Sequence, residues 1–184
     1  MGKLYEALTP QQIEFIRAQK LFFVGTAPLS ADGHVNISPK GMDSFAVLDP
    51  TAVAYLDVTG SGVETIAHIK ENGRLVIMFC AFEGSPLILR LHGTARVVEA
   101  ADPAFSELRP HFGELPGVRS IIRLEVDRIA DSCGWNVPLY DYAGTRDYYQ
   151  NFADKLGPQG MRAGQLAANM ESIDGLPRLT EPSF

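Results

Sequence analysis

A short loop rich in glycine and hydroxyl side chains precedes a predicted helix in the first half of the chain. The loop is Thr59-Gly60-Ser61-Gly62, and the helix after it covers Glu64–Glu71 and includes Thr65. Free backbone N–H groups at a helix N-terminus bind anions, and a charge there gains about 0.3–1 kcal/mol. The loop matches neither Gly-x-x-x-x-Gly-Lys nor Gly-x-Gly-x-x-Gly. It is interpreted either as an anion cradle or as a plain strand-to-helix turn with Ser61 as N-cap.

A doubly charged anion in this loop would need a positive side chain within reach. A unit opposite charge at 4 Å contributes about 4 kcal/mol at an effective dielectric of 20. Lys40 is the best candidate, because it follows an alternating strand and precedes Gly41 in a tight turn. The ordinary alternative for Lys40 is a solvated loop lysine. Other candidate cations on predicted strands are Arg74, Arg90 and Arg123.

Other catalytic chemistries find little support in the residue pattern. The histidines have no metal-ligand spacing, and no Gly-x-Ser-x-Gly elbow is present. His68 is interpreted as a surface or packing residue. Cys133 is interpreted as an inert cysteine or a reactive thiol. Trp135, the single tryptophan, either anchors an interface or core or stacks on a planar ligand.

Composition places the chain among ordinary globular proteins. The 184 residues are 46% hydrophobic and 21% charged, with a net charge of −6. The negative charge argues against nucleic-acid or anionic-membrane partners. No apolar stretch reaches the roughly 20 residues of a membrane span, and the N-terminus lacks a signal peptide's apolar region. Only two cysteines are present, so we expect a soluble, cytoplasmic protein.

The elements that would position these residues are mostly strands joined as hairpins and a meander. Asp32-Gly33 predicts a tight turn, and Thr9-Pro10 with Gln12 predicts the start of a helix that ends near Gln19 or Lys20. We expect an antiparallel barrel or sandwich in residues 1–130. The predicted strands are Leu21–Ala27, His34–Ser38, Ala52–Val58, Arg74–Phe82, Leu87–Glu99 and Arg119–Ile129.

The last part of the chain, residues 131–184, differs in sequence pattern from the first 130 residues. It contains two predicted helical stretches, Thr145–Leu156 and Met161–Met170, with too few apolar residues for a core of their own. We therefore predict a C-terminal helical extension that packs on the barrel or on a second subunit.

Several motifs, taken in their order, resemble the pyridoxamine 5′-phosphate oxidase-like family of FMN-binding split barrels. The resemblance is closest to the branch that carries a Cys-Gly-(Trp/Tyr)-x-Val-Pro segment and a C-terminal Ser-x-Asp-Gly-Leu-Pro. It covers nearly the whole chain. The segments that carry it are Ala31-Asp32-Gly33, Asn36–Gly41, Asp57–Thr65, Asn72-Gly73-Arg74, Leu91–Ala95, Cys133–Pro138 and Ser172–Pro177.

The resemblance implies a mainly β fold, a six-stranded antiparallel split β-barrel, and a homodimer with FMN at the interface. It implies that Trp135 approaches the flavin, from the other subunit. The segment along the ring would supply Asn36, Ser38, Pro39, Lys40 and Gly41. The phosphate and ribityl chain would lie at Thr59, Gly60, Ser61, Gly62 and Thr65.

This chain has no lysine near Thr65, where the parent oxidases place one to pair the phosphate, so the resemblance transfers that role to Lys40 or a neighbouring arginine. The implied activity is an FMN-dependent oxidoreductase with a small-molecule substrate or NAD(P)H as partner and no metal. The alternatives are a non-catalytic flavin- or haem-binding protein and a structural dimer without a ligand.

Overall fold

The computed structural model describes residues 2–176 and 178–180, and their backbone is mainly β-sheet. Eight strands lie within these residues, and every neighbouring pair runs antiparallel. The strands are β1 (Leu4–Tyr5), β2 (Phe22–Thr26), β3 (Asn36–Lys40), β4 (Phe45–Asp49), β5 (Ala52–Val58), β6 (Arg74–Cys80), β7 (Ile88–Glu99) and β8 (Val118–Ser132).

Four helices flank the sheet in the described part of the chain. A 3₁₀ turn at Arg109–His111 extends the third of them, and Gly157, with φ of 63°, interrupts the fourth. The interruption separates two helical stretches, which agrees with the two that the sequence predicts. The helices are α1 (Pro10–Ala18), α2 (Glu64–Asn72), α3 (Pro103–Leu108) and α4 (Tyr148–Ala168).

The starts and ends of two helices follow from local sequence. The predicted capping box of α1 is confirmed, since Gln12 N donates to Thr9 Oγ1 at 3.3 Å and Thr9 N donates to Gln12 Oε1 at 2.9 Å. Gly73 ends α2 in the left-handed conformation that glycine adopts readily, with φ of 71°. The interpretation of Ser61 as N-cap is wrong, because α2 begins after Val63 and has no side-chain cap.

The sheet curls so that its two edge strands are consecutive in the chain. The strand order is β3-β2-β6-β7-β8-β5-β4, and β1 adds to β8. Because β3 ends at Lys40 and β4 begins at Phe45, four residues join opposite edges of the sheet. Within this connection Met42 and Asp43 have φ of 62° and 50°, in the left-handed region that non-glycine residues rarely adopt. The result is a barrel split along the seam between β3 and β4.

The predicted class of mainly antiparallel β-barrel is confirmed, but the predicted number of six strands is wrong. The two additional strands are β1 and β4. Strand β4 lies where no strand is predicted, because its five residues show no clear alternation and it is held by pairing with β5. Strand β1 has two residues, which pair with Ala130 and Ile129 of β8. Strand β1 therefore depends on a partner that is distant in sequence, whereas β4 pairs with the strand that follows it along the chain.

The core fills the inside of the curled sheet and is closed by α1 and α2. Helix α2 packs against β2, β6 and β7, and five consecutive residues of the helix, 65–69, are buried. The largest cluster joins strand side chains such as Val24, Ile77, Leu91 and Leu124 to Ile66 of α2. This packing holds the first turn of α2 rigidly against β2 and β3.

Candidate functional site

A cavity of about 420 Å³ lies beside the connection between β3 and β4. Pockets of this size hold small organic ligands. Its wall combines β3, the end of β5, the loop after β5 and the first turn of α2. The structure brings together here all the predicted site residues except Trp135: Asn36, Ser38, Pro39, Lys40, Gly41, Thr59, Gly60, Ser61, Gly62 and Thr65.

Strand β3 presents polar side chains to the cavity because its exposure alternates along the strand. Asn36, Ser38 and Lys40 are half-buried, whereas Ile37 and Pro39 between them are exposed. An edge strand also tolerates proline, which has no N–H to donate to a neighbour. The strand therefore lines up an amide, a hydroxyl and an ammonium group along one wall.

The amide of Asn36 connects β3 to α2. Its Nδ2 donates to Thr65 Oγ1 at 2.9 Å and to Thr26 Oγ1 at 3.2 Å. Its Oδ1 accepts from the hydroxyl of Ser38 at 3.3 Å. Thr65 is itself buried at the head of the helix. These side chains form one connected network rather than separate donors.

Two cations face one buried carboxylate next to the cavity. Asp57 on β5 is fully buried, Arg119 Nε donates to its Oδ2 at 2.6 Å, and Lys40 Nζ lies 3.6 Å from its Oδ1. Burial by itself would raise the pKa of Asp57, but the charges of Arg119 and Lys40 lower it below its usual value. The three groups together carry a charge of +1, because two cations share one carboxylate.

Arg119 is a cavity residue that the sequence reasoning missed. It is the extra residue of a β-bulge, where the β5–β8 pairing shifts register beside Asp57, and such bulges re-aim side chains. The available signal was Asp57, the single charged residue of the apolar strand β5, since a buried charge needs a partner. Lys40 lines the cavity as predicted, whereas the alternative cations lie elsewhere: Arg74, Arg90 and Arg123.

The loop after β5 is held by the C-terminal part of the chain. Thr59 Oγ1 donates to Gly117 O at 2.8 Å and accepts from Gln165 Nε2 at 2.7 Å. Asn169 Nδ2 donates to Gly60 O at 3.0 Å. The hydroxyl of Thr59 is therefore used within the protein, whereas Ser61 is exposed at the rim of the cavity.

Residue Arg119 also ties these parts together. Its NH1 donates to Gly62 O at 2.9 Å and to Asn169 Oδ1 at 2.7 Å. Helix α4 and the residue after it thus pack on the barrel of the same chain. The division into a barrel and a C-terminal extension, and any packing on a second subunit, stay predictions.

Two further side chains at the cavity affect its electrostatics. Burial raises the pKa of Tyr149 to about 12, so its phenol is neutral at pH 7. Glu64 stands at the start of α2, half-buried, and accepts from Ile173 N at 3.4 Å. Its negative charge offsets part of the positive charge that Lys40 and Arg119 contribute.

A neighbouring cavity of about 370 Å³ lies on the other side of the β3–β4 connection. Gly41 and Ser44 line both cavities. The second one has Phe22 and Phe45 in its wall, with ring centroids 5.0 Å apart. The connection between β3 and β4 therefore contributes to the walls of both cavities.

Trp135 does not line the cavity of its own chain. Its side chain is 80% exposed. The predicted approach of Trp135 to a flavin thus requires a second copy of the chain, and it stays a prediction. Among the described residues no cluster of His, Cys, Asp and Glu could hold a metal ion. No helix in the described ranges is long and apolar enough to cross a bilayer.

Comparisons with known proteins agree with this fold. A structure from Lactobacillus delbrueckii, provisionally assigned as a pyridoxamine 5′-phosphate oxidase, is 23% identical with a TM-score of 0.51, covering 68% of this chain and 94% of that chain. A variant of HupZ from Group A Streptococcus is 25% identical with a TM-score of 0.52, covering 67% of this chain and 98% of that one.

The family comparisons are more specific. The ustO protein of Aspergillus flavus, a pyridoxamine 5′-phosphate oxidase family protein, is 40% identical over 196 aligned positions, which cover 97% of this chain and 78% of that protein. The family model for pyridoxamine 5′-phosphate oxidase matches residues 8–133, which contain the whole cavity wall except Tyr149. The chain therefore belongs to the pyridoxamine 5′-phosphate oxidase family.

Proposed function

We propose that the chain binds FMN in the cavity beside the β3–β4 connection and works as an FMN-dependent oxidoreductase. The observation that carries the proposal is that residues from β3, from the 59–62 loop and from the start of α2 line one cavity of suitable size. These segments are far apart in sequence. The family resemblance assigns all of them to the same cofactor.

The residues present fit a phosphorylated polyhydroxyl ligand. Thr65 and the first backbone N–H groups of α2 would donate to phosphate oxygens. Lys40, whose side chain is 19% exposed, would supply the cation, because the side chain of Arg119 is 5% exposed and already bound to Asp57. Glu64 would limit the affinity for a dianion. Asn36 and Ser38 would accept hydrogen bonds from the rest of the ligand.

When bound, a flavin supplies hydride and electron transfer, and the protein supplies orientation and control of solvent access. The wall of β3 would orient the ligand, and the 59–62 loop with Asn169 would close one end of the cavity. The neighbouring cavity lined by Phe22 and Phe45 offers space for a small organic substrate or a nicotinamide. The proposal assigns no side chain of the protein to proton transfer.

A homodimer completes the proposal. The cavity in one chain is open, and several large apolar side chains are exposed in the described part of the chain, with Trp135 among them. A second copy would cover part of this surface and the open side of the cavity. Neither cysteine is in a disulfide, which agrees with the proposed cytoplasmic location.

The test begins with the visible spectrum of the purified protein and the mass of any released cofactor. Apoprotein is then titrated with FMN, FAD and riboflavin while flavin fluorescence is followed. We expect FMN to bind tightest, because only FMN carries a single terminal phosphate for Lys40 and Thr65. A protein that takes up no flavin would refute the proposal. Bound FMN without oxidation of NADH or NADPH, or of any substrate tried, would support the non-catalytic alternative.

A further inference from the structure

His68 is a buried residue outside the cavity that the proposed function leaves without a role. It lies on the buried side of α2, with no exposed surface, and does not line the cavity. Its Nδ1 lies 2.9 Å from Thr26 Oγ1 on β2. Thr26 in turn is one of the two hydroxyls that accept from Asn36. Two hydrogen bonds in series therefore connect His68 through Thr26 to Asn36 in the cavity wall.

The direction of these two hydrogen bonds follows from the number of hydrogens that each side chain can donate. In the described part of the protein, the Thr26 hydroxyl has two polar side-chain neighbours, Asn36 Nδ2 and His68 Nδ1. The Thr26 oxygen can accept two hydrogen bonds, but if Nδ1 carried a hydrogen, the hydroxyl hydrogen of Thr26 would have no acceptor among the described residues. We therefore assign that hydroxyl hydrogen to Nδ1. The imidazole is then neutral, with its hydrogen on Nε2, and burial lowers the pKa of His68, which favours this neutral form.

This arrangement determines which end of the Asn36 amide faces the cavity. Both hydrogens on Nδ2 are used, one by Thr26 and one by Thr65. The carbonyl oxygen is left on the side of Ser38, whose hydroxyl hydrogen it accepts. A carbonyl oxygen has two lone pairs, so Asn36 Oδ1 keeps one for a ligand.

The same reasoning places hydrogen-bond acceptors on the β3 side of the cavity and a donor at the start of α2. Asn36 Oδ1 and Ser38 Oγ are acceptors, because the hydrogen of Ser38 is already donated. Thr65 accepts from Asn36 and keeps its own hydrogen to donate toward the cavity. A matching ligand presents hydroxyl or N–H donors to β3 and an anionic or acceptor group to the head of α2.

Packing alone does not explain an imidazole at this position. Within the described ranges Nε2 of His68 has no hydrogen-bond partner, and a buried unsatisfied N–H costs free energy. An apolar side chain of similar shape would avoid that cost. What an apolar side chain cannot supply is the acceptor at Nδ1.

We infer that His68 is a positioning residue that orients the Asn36 amide through Thr26 and so makes the cavity wall select ligands with hydroxyl or N–H donors. The ligand part of this inference rests on the proposed function. The orientation of the amide is a property of the protein without ligand.

A double-mutant cycle with FMN as the probe tests the ligand part. We expect His68→Leu to weaken FMN binding about tenfold, the effect of one lost hydrogen bond, and to do so less than twofold in an Asn36→Ala background. His68→Asn, which returns an amide acceptor near the position of Nδ1, should restore affinity to within about threefold. Equal losses in both backgrounds, or no loss in either, would overturn the inference.

A measurement on the ligand-free wild-type protein tests the orientation itself and does not depend on any variant folding. Nitrogen-15 NMR of the histidine side chains at pH 7.5 should show His68 with an unprotonated Nδ1 and a protonated Nε2. A protonated Nδ1 would overturn the inference. If wild-type protein binds no FMN, the proposed function fails, whereas the NMR result still decides whether the His68 tautomer orients Asn36.

Discussion

At the scale of single residues, the charge at the cavity depends on a shared carboxylate rather than on one cation. The buried carboxylate of Asp57 forms ion pairs with both Arg119 and Lys40. Because Arg119 is bound on several sides, Lys40 is the cation that a ligand can reach. In the proposed function, Lys40 takes the place of the lysine that the family resemblance would put near Thr65.

We expect Asp57→Asn to lower the free energy of unfolding by about 3–5 kcal/mol, because it leaves Arg119 buried without its counter-charge. Urea denaturation of the variant beside wild type measures the loss. Asp141→Asn, at an exposed position, is the matched control and should change stability by less than about 0.5 kcal/mol. An Asp57→Asn variant as stable as wild type would show that the ion pair contributes no net stability.

The pH dependence of the same pair follows from the lowered pKa of Asp57. A carboxyl with a lowered pKa in the fold contributes stability that is complete above its unfolded pKa and is lost as the pH falls through the folded value. The difference in stability between wild type and Asp57→Asn should therefore be constant near pH 6 and shrink below the usual value of 3.8. A difference that stays constant to pH 2 would contradict this account.

Lys40→Gln is expected to weaken FMN binding more at low salt than at high salt, because charges that reach solvent are screened by ions. Fluorescence titrations at about 0.01 M and 1 M ionic strength compare the two. Lys155→Gln, on an exposed part of α4, serves as the control and should leave affinity unchanged at both. A salt-independent loss would indicate that Lys40 acts through packing instead.

Thr65→Val is expected to weaken FMN binding by about 1.5–3 kcal/mol, since it removes a buried donor to an anionic group. Ser61→Ala should weaken it less, because Ser61 is exposed at the rim. Affinities from the same titration check the order, and Ser85→Ala in an exposed turn is the control. If Ser61 proves the more important of the two, the phosphate does not lie at the head of α2.

At the scale of the elements, two irregularities in strand pairing shape the site and the sheet. In the β5–β8 pair, a shift of register beside Asp57 changes the direction of the Arg119 side chain. In the β7–β8 pair, another shift of register lies between His92 and Gly93. A glycine inside a strand often marks a bulge or a close approach of backbone, and Gly93 marks both. A β-carbon added at Gly93 would meet the carbonyl oxygen of Glu125.

We expect Gly93→Ala to destabilise the fold by about 1–3 kcal/mol, because the added methyl group meets backbone that cannot move without breaking the ladder. Thermal unfolding followed by circular dichroism measures the effect. Gly113→Ala is the matched control, since nothing lies within 4 Å of a β-carbon there and its backbone suits alanine. Equal stability of the two variants would show that β8 adjusts freely at the bulge.

At the scale of the whole molecule, the barrel alone does not enclose its cavity. The seam between β3 and β4 leaves one side open, and exposed apolar side chains include Val35 and Ile37 at 72% and 70% exposure and Trp135 at 80%. The homodimer of the proposal would account for both features.

Light scattering on a size-exclusion column should therefore give twice the chain mass, since burial of this apolar surface favours association. Trp135→Glu should shift the protein toward monomer and weaken FMN binding at the same time, because it places a charge in the proposed interface. A monomeric wild type that binds FMN with full affinity would remove the dimer from the proposal and leave Trp135 without a role at the flavin.

Local sequence patterns were enough to predict where some of the helices begin and end. The capping box at Thr9 and Gln12 and the left-handed end of α2 at Gly73 depend on neighbours within a few residues. The order of motifs was enough to indicate the family and to name ten of the residues that line the cavity, although it missed Arg119 and also named Trp135, which does not line it. That they bind a flavin stays a prediction.

The tertiary structure alone decided the remaining features, because each depends on residues that are distant in sequence. Asp57 and Arg119 are 62 positions apart, and they meet only through the register and bulge of two strands. Strand β1 exists because it pairs with β8, and His68 reaches Asn36 only because α2 packs on β2. Pairing and burial act between elements, whereas a pattern in one segment records only what its own neighbours impose.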